Sequence, residues 1–342
     1  MKRKLFSMVK KIAVLSMAAI LLIGCTGCGS KKSHVRTITN VSYDPTREFY
    51  EAYNPLFEKY YKEKTGKEVN IIQSHGGSGA QARSVVEGCN ADVVTLALEH
   101  DITLIEQTGL IEKGWEQEFA DDSSPYTSTI VFLVRKGNPK QIRDWDDLVN
   151  KKVGIITPDP KSSGGACWNF LAALSYIKEQ TDDEKEQKAF LQKLYSQVSV
   201  MDSGARGSTT TFVENQKGDV LIAWENEAIT TMKSYPDEYE MITPSVSILA
   251  QPSVAIVDDN ADANGTQEVS REYLNYLYTD DAQRLAAEYG YRPSNESILK
   301  EFSDRFDLNV KLYTIKDYGG WNEAYKNYFD DGAMFDEIYG NE

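Results

Sequence analysis

Apolar and polar positions along this chain switch between a period of two and a period near 3.6 almost from end to end, so strands and helices alternate. Residues 35–41 read as a strand, after which Asp44 and Pro45 stand where an N-cap and a first helical turn belong. Phe49, Tyr53, Leu56 and Tyr60 then share one helical face until Gly66 ends it. Residues 69–72 form the next strand, SHGGSG at 74–79 a turn, and a further helix runs through Val86 to a cap at Gly88. Residues 91–98 read as a buried strand. A β-branched run at 153–157 precedes a helical pattern over 166–177, and strands follow at 198–201 and 220–223. Val269, Tyr273, Tyr276 and Leu277 fall at core spacing within a helical stretch from 267 to 289.

Alternation of this kind builds parallel sheets flanked by helices, where ligands sit outside the carboxyl ends of the strands. Five places with anion-binding character fall at such ends. Asp44 opens the first helix, Ser78 lies in HGGSG, and Ser163, Gly164 and Gly165 form the turn between a strand and a helix. Residues 204–207 lie in DSGARG, and Trp224 closes the strand at 220–223. Taken one at a time, these residues have plainer readings as an ordinary cap, tight glycine connections and a core tryptophan. Taken together they offer hydroxyl, indole and helix-terminal N–H donors to one region. The lysine that a nucleotide-binding loop places after its last glycine is missing, since Ala166 and Cys167 follow Gly165. The turns therefore suit a small anion held without a cationic partner.

Charge sharpens that picture. The whole chain carries a formal charge of -15, and the five cations Lys2, Arg3, Lys4, Lys10 and Lys11 all lie ahead of an apolar stretch at 12–23. That stretch is shorter than the ~20 residues a spanning helix needs, and the arrangement is that of an export signal. Its removal as residues 1–24 takes the body to about -20, which argues against nucleic acid or anionic lipid as the ligand. Screening over ~8 Å lets a concave site ignore most of the distant acidic surface. No histidine pair stands at i and i+4 and the cysteines lack ligand spacing, so neither a metal nor another cofactor is expected. Cys28 makes an incidental CxxC with Cys25, while Cys89 and Cys167 could pair or stay free. HGGSG is also close to the turn chemistry of serine esterases, with Ser78 as nucleophile and His75 or His100 as base, but Ala80 stands where GxSxG needs glycine.

The leader ends Leu22, Ile23, Gly24, Cys25, which resembles the lipobox of bacterial lipoproteins and implies lipidation of Cys25. The body resembles the bacterial sulfate-binding proteins of ABC importers. The likeness is carried by VSYDPTREFY at 41–50, QSHGGSG at 73–79, DVVTLAL at 92–98, TIVFLVRKGNPK at 129–140 and SSGGACWN at 162–169. DSGARGSTTTFVE at 202–214, GDVLIAWENEA at 218–228, ILAQPSVAIVD at 248–258 and YRP at 291–293 extend it over nearly the whole mature chain.

What the resemblance implies is an α/β, two-lobed periplasmic-binding-protein fold of the second type, with two hinge strands between lobes and the ligand closed between them. The sulfate contacts it implies are the backbone N–H groups at Asp44 and Ser78, the Ser163 hydroxyl, the N–H groups at Gly164, Gly165 and Ala205, and the Trp224 indole N–H. Arg206 is a possible supporting cation with a role in lobe structure. Cys167 stands where close family members often carry arginine. Beyond the leader and a linker at 25–34, the expected divisions are a first lobe at 35–128, hinge strands and a second lobe at 129–254, and a return to the first lobe with a tail at 255–342 whose lobe is open. Residues 129–134 and 253–257 are the expected hinge strands. The expected role is sulfate capture outside the membrane by a lipid-anchored monomer that serves an ABC permease. Thiosulfate or another tetrahedral oxyanion is the near alternative.

Overall fold

The computed structural model describes residues 35–339; the leader, Cys25, Cys28, the 25–34 linker and the last three residues lie outside them. The strands that form its main ladders are β1 (Arg36–Tyr43), β2 (Val69–Gly76), β3 (Val93–Leu96), β4 (Ile130–Arg135), β5 (Ile155–Pro158) and β6 (Val198–Asp202). They continue with β7 (Val220–Trp224), β8 (Tyr239–Ile242), β9 (Val246–Ile248), β10 (Ser253–Ile256) and β11 (Lys311–Tyr313). The longer helices are α1 (Arg47–Thr65), α2 (Ser78–Val86), α3 (Glu99–Glu106), α4 (Gly164–Lys178), α5 (Glu184–Ser196), α6 (Ala205–Val213), α7 (Glu225–Ser234), α8 (Gln267–Tyr276) and α9 (Asp280–Glu288).

Two sheets carry the body. One runs β10-β3-β1-β2 and the other β6-β5-β7-β4-β8. In the first, β1 is parallel to both β2 and β3; in the second, β5 is parallel to both β6 and β7. Strands β3 (VVTL) and β7 (VLIAW) are buried along their whole length, which is what helices covering both faces of a parallel sheet require of their sequence. Each sheet closes with antiparallel partners, β10 on β3 and β4 on β7.

Several boundaries differ from the sequence reading. Strand β2 runs on to Gly76, through residues expected in a turn, because its polar end still ladders with β1 from Asn40 to Tyr43. Helix α4 starts at Gly164, ahead of the expected Ala166. The stretch at 267–289 is two helices, since Thr279 ends the run and caps α9 through its hydroxyl on the Ala282 amide. Helix α1 buries Phe49, Tyr50, Tyr53, Phe57 and Tyr61, leaving Leu56 and Tyr60 only partly covered. Those rings pack on Tyr273 and Tyr276 of α8, each fully buried aromatic contributing about 1.5–3 kcal/mol.

The two expected hinge strands belong to different sheets, β4 to the five-stranded and β10 to the four-stranded one. The chain crosses between sheets just before each, and Ser128 and Ala250 pair at the crossing by two backbone hydrogen bonds of 2.9 Å. A short ladder of Tyr126–Thr127 with Arg292–Pro293 lies beside them. The tail packs on the helices of the five-stranded sheet: β11 extends β9, Trp321 meets Trp168 of α4 edge-on, and helix Met334–Tyr339 lies on α5.

Candidate functional site

The carboxyl ends of the parallel strands meet at one small cavity. Tyr43 ends β1 and Asp44 and Pro45 follow it, Gly76 ends β2 and Gly77 and Ser78 follow it, and Ala97 follows β3. Ser163 and Gly165 reach it after β5, and Ala205 after β6. Sequence reasoning named the turns but missed Tyr43 and Ala97, whose positions one residue from Asp44 and just past a strand end were the available signal.

Helices α2, α4 and α6 all begin here. The amides of Ser78, Gly164, Gly165 and Ala205 open those helices, and none has a backbone acceptor among the described residues. The Asp44 amide, at the start of a one-turn 3-10 helix spanning Asp44–Thr46, is likewise without one. Each helix start adds a partial positive charge of about half a unit, so their convergence favours an anion. Ser163 is a buried residue whose hydroxyl does not cap its own helix and has no hydrogen-bond partner among the described residues.

Trp224 and Gly164 stand one step behind the cavity wall. The Trp224 indole donates to the Gly165 carbonyl at 3.2 Å and its ring lies 5.5 Å from that of Tyr43. Gly164 packs so close to the other sheet that a Cβ on it would lie 2.8 Å from Leu98 Cγ. Trp168, one turn further along α4, donates its indole N–H to the Ala97 carbonyl at 3.0 Å and so ties the same two elements.

Asp44 corrects the sequence reading. Tyr43, not Asp44, is the N-cap residue, and the Asp44 carboxylate makes no capping bond. Its Oδ1 instead accepts from Arg47 at 3.4 Å, drawn along the helix by the guanidinium one turn away. Among the residues lining the cavity no lysine or arginine is present. Arg206, next to Ala205, is occupied: it holds both Glu48 carboxylate oxygens at 2.8 and 2.7 Å and lies 3.7 Å from Glu227. His75 adds no charge at neutral pH, because burial, then the nearby Arg47, push its pKa down to about 4.

The Ser78 hydroxyl is also spoken for. It donates to Asp101 at 2.5 Å and accepts from the Ala97 amide at 2.9 Å, which leaves only its backbone N–H for the cavity. The esterase reading fails on this geometry. No imidazole is hydrogen-bonded to Ser78; His75 leaves Nε2 unpartnered, and His100 lies flat on Tyr325 with ring centroids 3.6 Å apart. Cys89 and Cys167 are free thiols, and the buried Cys167 donates to the Pro160 carbonyl at 3.4 Å. No helix of the described residues is long and apolar enough to cross a membrane.

Residues 41–292 match the family model described as bacterial extracellular solute-binding protein. The sulfate-binding protein of Escherichia coli (strain K12) is 52% identical over 304 residues, covering 88% of this chain and 92% of that one. The thiosulfate-binding protein of Pseudomonas aeruginosa is 42% identical over 325 residues, covering 94% and 98%. Among solved structures, the sulfate-binding protein SubI from Mycobacterium tuberculosis H37Rv superposes with a TM-score of 0.79 at 33% identity, covering 86% of this chain and 100% of that one.

Proposed function

The chain belongs to the bacterial extracellular solute-binding proteins, and from that membership we propose that it captures sulfate outside the cytoplasmic membrane and passes it to an ABC permease. Proteins of this family are transport components and not enzymes. The observation that carries the reading is the convergence of helix starts from both sheets, with the unpartnered Ser163 hydroxyl, on one cavity without a cation. Sulfate at neutral pH has no proton to donate, so a wall of donors suits it. Phosphate keeps a proton that backbone N–H groups cannot accept, and selectivity becomes a penalty on the wrong ligand. Asp44 is the weak point of this logic: it lines the cavity, its carboxylate does not cap its helix, and only its Oδ1 is engaged, by Arg47 at 3.4 Å, so the discrimination requires its Oδ2 to turn away from the ligand.

Thiosulfate is the second reading, favoured by a thiosulfate-binding relative that covers nearly the whole chain. A calorimetric competition series with sulfate, thiosulfate, molybdate and phosphate decides between them. Sulfate should bind most tightly; thiosulfate binding tighter than sulfate would move the assignment to the second reading. The ligand contacts belonging to this proposal are the amides of Asp44, Ser78, Gly164, Gly165 and Ala205, the Ser163 hydroxyl and the Trp224 indole N–H, which must exchange its bond to the Gly165 carbonyl for one to the anion. Ser163→Ala should weaken sulfate binding by about 1.5–3 kcal/mol, roughly tenfold to a hundredfold. A change under about twofold in the same calorimetry would remove Ser163 from the site.

The lobes of this proposal are residues 35–128 with the return from 255, and residues 129–254, closing on the ligand about the crossings at Ser128 and Ala250. Bonds between elements of the two sheets, Trp168 to Ala97 and Arg206 to Glu48, support it. Closure predicts a smaller radius of gyration in solution scattering with saturating sulfate, and an unchanged radius argues against it. Attachment of the monomer to the membrane through a lipid on Cys25 completes the proposal. Cys25→Ala should then release the protein from the membrane fraction, and retention there would contradict the anchor.

A further inference from the structure

The tail at residues 311–339 is bound to the helices of the five-stranded sheet at several points. Its Trp321 ring meets Trp168 of α4 edge-on with centroids 4.7 Å apart, and Phe329 meets Phe170 of the same helix at 5.3 Å. The Tyr318 hydroxyl lies 2.7 Å from that of Ser175, also on α4. Lys161, two residues before Ser163, reaches into the tail and donates to the Phe329 carbonyl at 2.8 Å and to Asp336 at 2.9 Å. Tail and anion-binding turn are thereby tied together.

One ring of this tail faces the other way. Tyr325 lies flat on the imidazole of His100, with ring centroids 3.6 Å apart and planes 14° from parallel. His100 is the second residue of α3, which follows β3 of the four-stranded sheet, and it comes three residues after Ala97 of the cavity wall. Tyr325 opens a π-helical turn over Tyr325–Phe329, closed by the Asp330 amide on the Tyr325 carbonyl at 2.8 Å. Turns of this width are rare and frequently mark functional sites. Within this one, Phe329 packs on α4 and Tyr325 on α3.

Both rings are uncharged at neutral pH. Burial pulls the His100 pKa down, and burial keeps the Tyr325 phenol protonated. The imidazole Nδ1 has no hydrogen-bond partner among the described residues, so the contact with the tail is one of ring faces. A second crossing from the tail, Lys316 to Asp122 at 3.5 Å, is exposed on both sides and contributes little.

We propose that the tail is a strap between the two sheets, and that the stack of Tyr325 on His100 sets how long a bound anion stays. This inference rests on the sulfate reading and on the closure of the lobes proposed above. The tail goes with the anion-binding turn and His100 with the opposite sheet, so the stack forms as the lobes come together. Ser163, Gly164, His100 and Tyr325 all line a half-open cavity of about 580 Å³, which puts the stack and the anion-binding turn on walls of one space. The buried bond from Trp168 to Ala97 joins the same sides, and the half-buried stack adds a contact nearer solvent. An aromatic pair contributes about two- to tenfold to an equilibrium constant beyond the area it buries. Sulfate enters the open form, where the stack is absent, so the contribution appears in release and not in association.

The test measures both rates on the exported body at pH 8, where a histidine of ordinary pKa, about 6.5, is neutral in either form. Release of radiolabelled sulfate is followed after a chase of excess unlabelled sodium sulfate, and calorimetry supplies the affinity from which the association rate follows. His100→Ala and Tyr325→Leu should each release sulfate about tenfold faster, with association within about twofold of wild type. His100→Phe keeps a flat ring and should release nearly as slowly as wild type. The double variant, His100→Ala with Tyr325→Leu, should match the single ones, because one contact cannot be lost twice. His100→Ala should also leave the urea midpoint unchanged without sulfate and lower it with sulfate, whereas a contact present in both forms would lower both. Release within about twofold of wild type in both single variants overturns the strap, as do effects that multiply to about a hundredfold in the double variant. A loss that falls on association overturns it as well. If Tyr325→Leu fails to fold, His100→Ala against His100→Phe decides alone. A wild type that binds no sulfate overturns the functional reading and this inference with it, while unchanged release from a wild type that binds overturns this inference alone.

Discussion

Replacing Ala205 by proline is expected to weaken sulfate binding by about a hundredfold while leaving the fold intact. Ala205 is the first residue of α6, the helical position where proline is tolerated best. The preceding Gly204 is extended, at φ -164 and ψ 164, which is the conformation a following proline requires. The first bond of the helix, from the Ser208 amide to the Gly204 carbonyl at 3.1 Å, does not involve the Ala205 amide. Proline therefore removes one N–H that has no acceptor among the described residues and puts a methylene in its place, facing the cavity. Loss of a hydrogen bond to a charged ligand costs about 1.5–3 kcal/mol, and the intruding carbon places the variant at the upper end. Urea unfolding should show a midpoint close to wild type, and Ala205→Gly should bind nearly normally. Sulfate affinity within about twofold of wild type in Ala205→Pro would show that this amide does not hold the anion.

The largest effect on stability is expected at Arg292. Its guanidinium meets Glu225 with two bonds of 2.6 and 2.8 Å, the side chains being 5% and 0% exposed. A further bond reaches the Asp307 carbonyl at 2.9 Å. The pair joins the start of α7, on the five-stranded sheet, to the short ladder beside the Ser128 and Ala250 crossing. Arg292→Met fills much of the same space but leaves a carboxylate buried without a partner, which costs about 3–5 kcal/mol. The double variant Arg292→Met with Glu225→Leu removes both charges and should recover most of that loss, because desolvation of the pair offsets much of its attraction. Urea unfolding of both variants measures this. A loss under about 1 kcal/mol in the single variant would mean that water reaches Glu225 and the pair is not closed.

The parts of the site legible in the sequence are those written in local backbone chemistry. Ser163, Gly164 and Gly165 announce a strand-to-helix transition because small residues with a free helix start can do little else there; the helix begins at Gly164, so both glycines fall in its first turn and the connecting turn lies just before Ser163. The strand ends at Trp224 and near Ala205 were readable for the same reason. Asp44 misled because a side chain that often caps helices is here one residue inside a 3-10 turn, where Arg47 competes for its carboxylate. The extension of β2 to Gly76 was hidden because Gln73, Ser74 and His75 carry no strand pattern and are held by their ladder to β1. Pairings across long separations leave no local mark at all. Arg206 with Glu48, Ser78 with Asp101 and Arg292 with Glu225 each join residues that only the tertiary fold brings together. The docking of the tail on α4 and α5 is of the same kind.

The central claim is that a wall of donors without a cation, the Asp44 carboxylate turned aside, holds sulfate and rejects phosphate. Titration of sulfate into the protein at pH 7, with and without phosphate at about a hundredfold excess over sulfate, tests it most directly. The account predicts one sulfate per chain with an affinity that the phosphate leaves nearly unchanged. Displacement of sulfate by phosphate, or the absence of a saturable sulfate site, would contradict it.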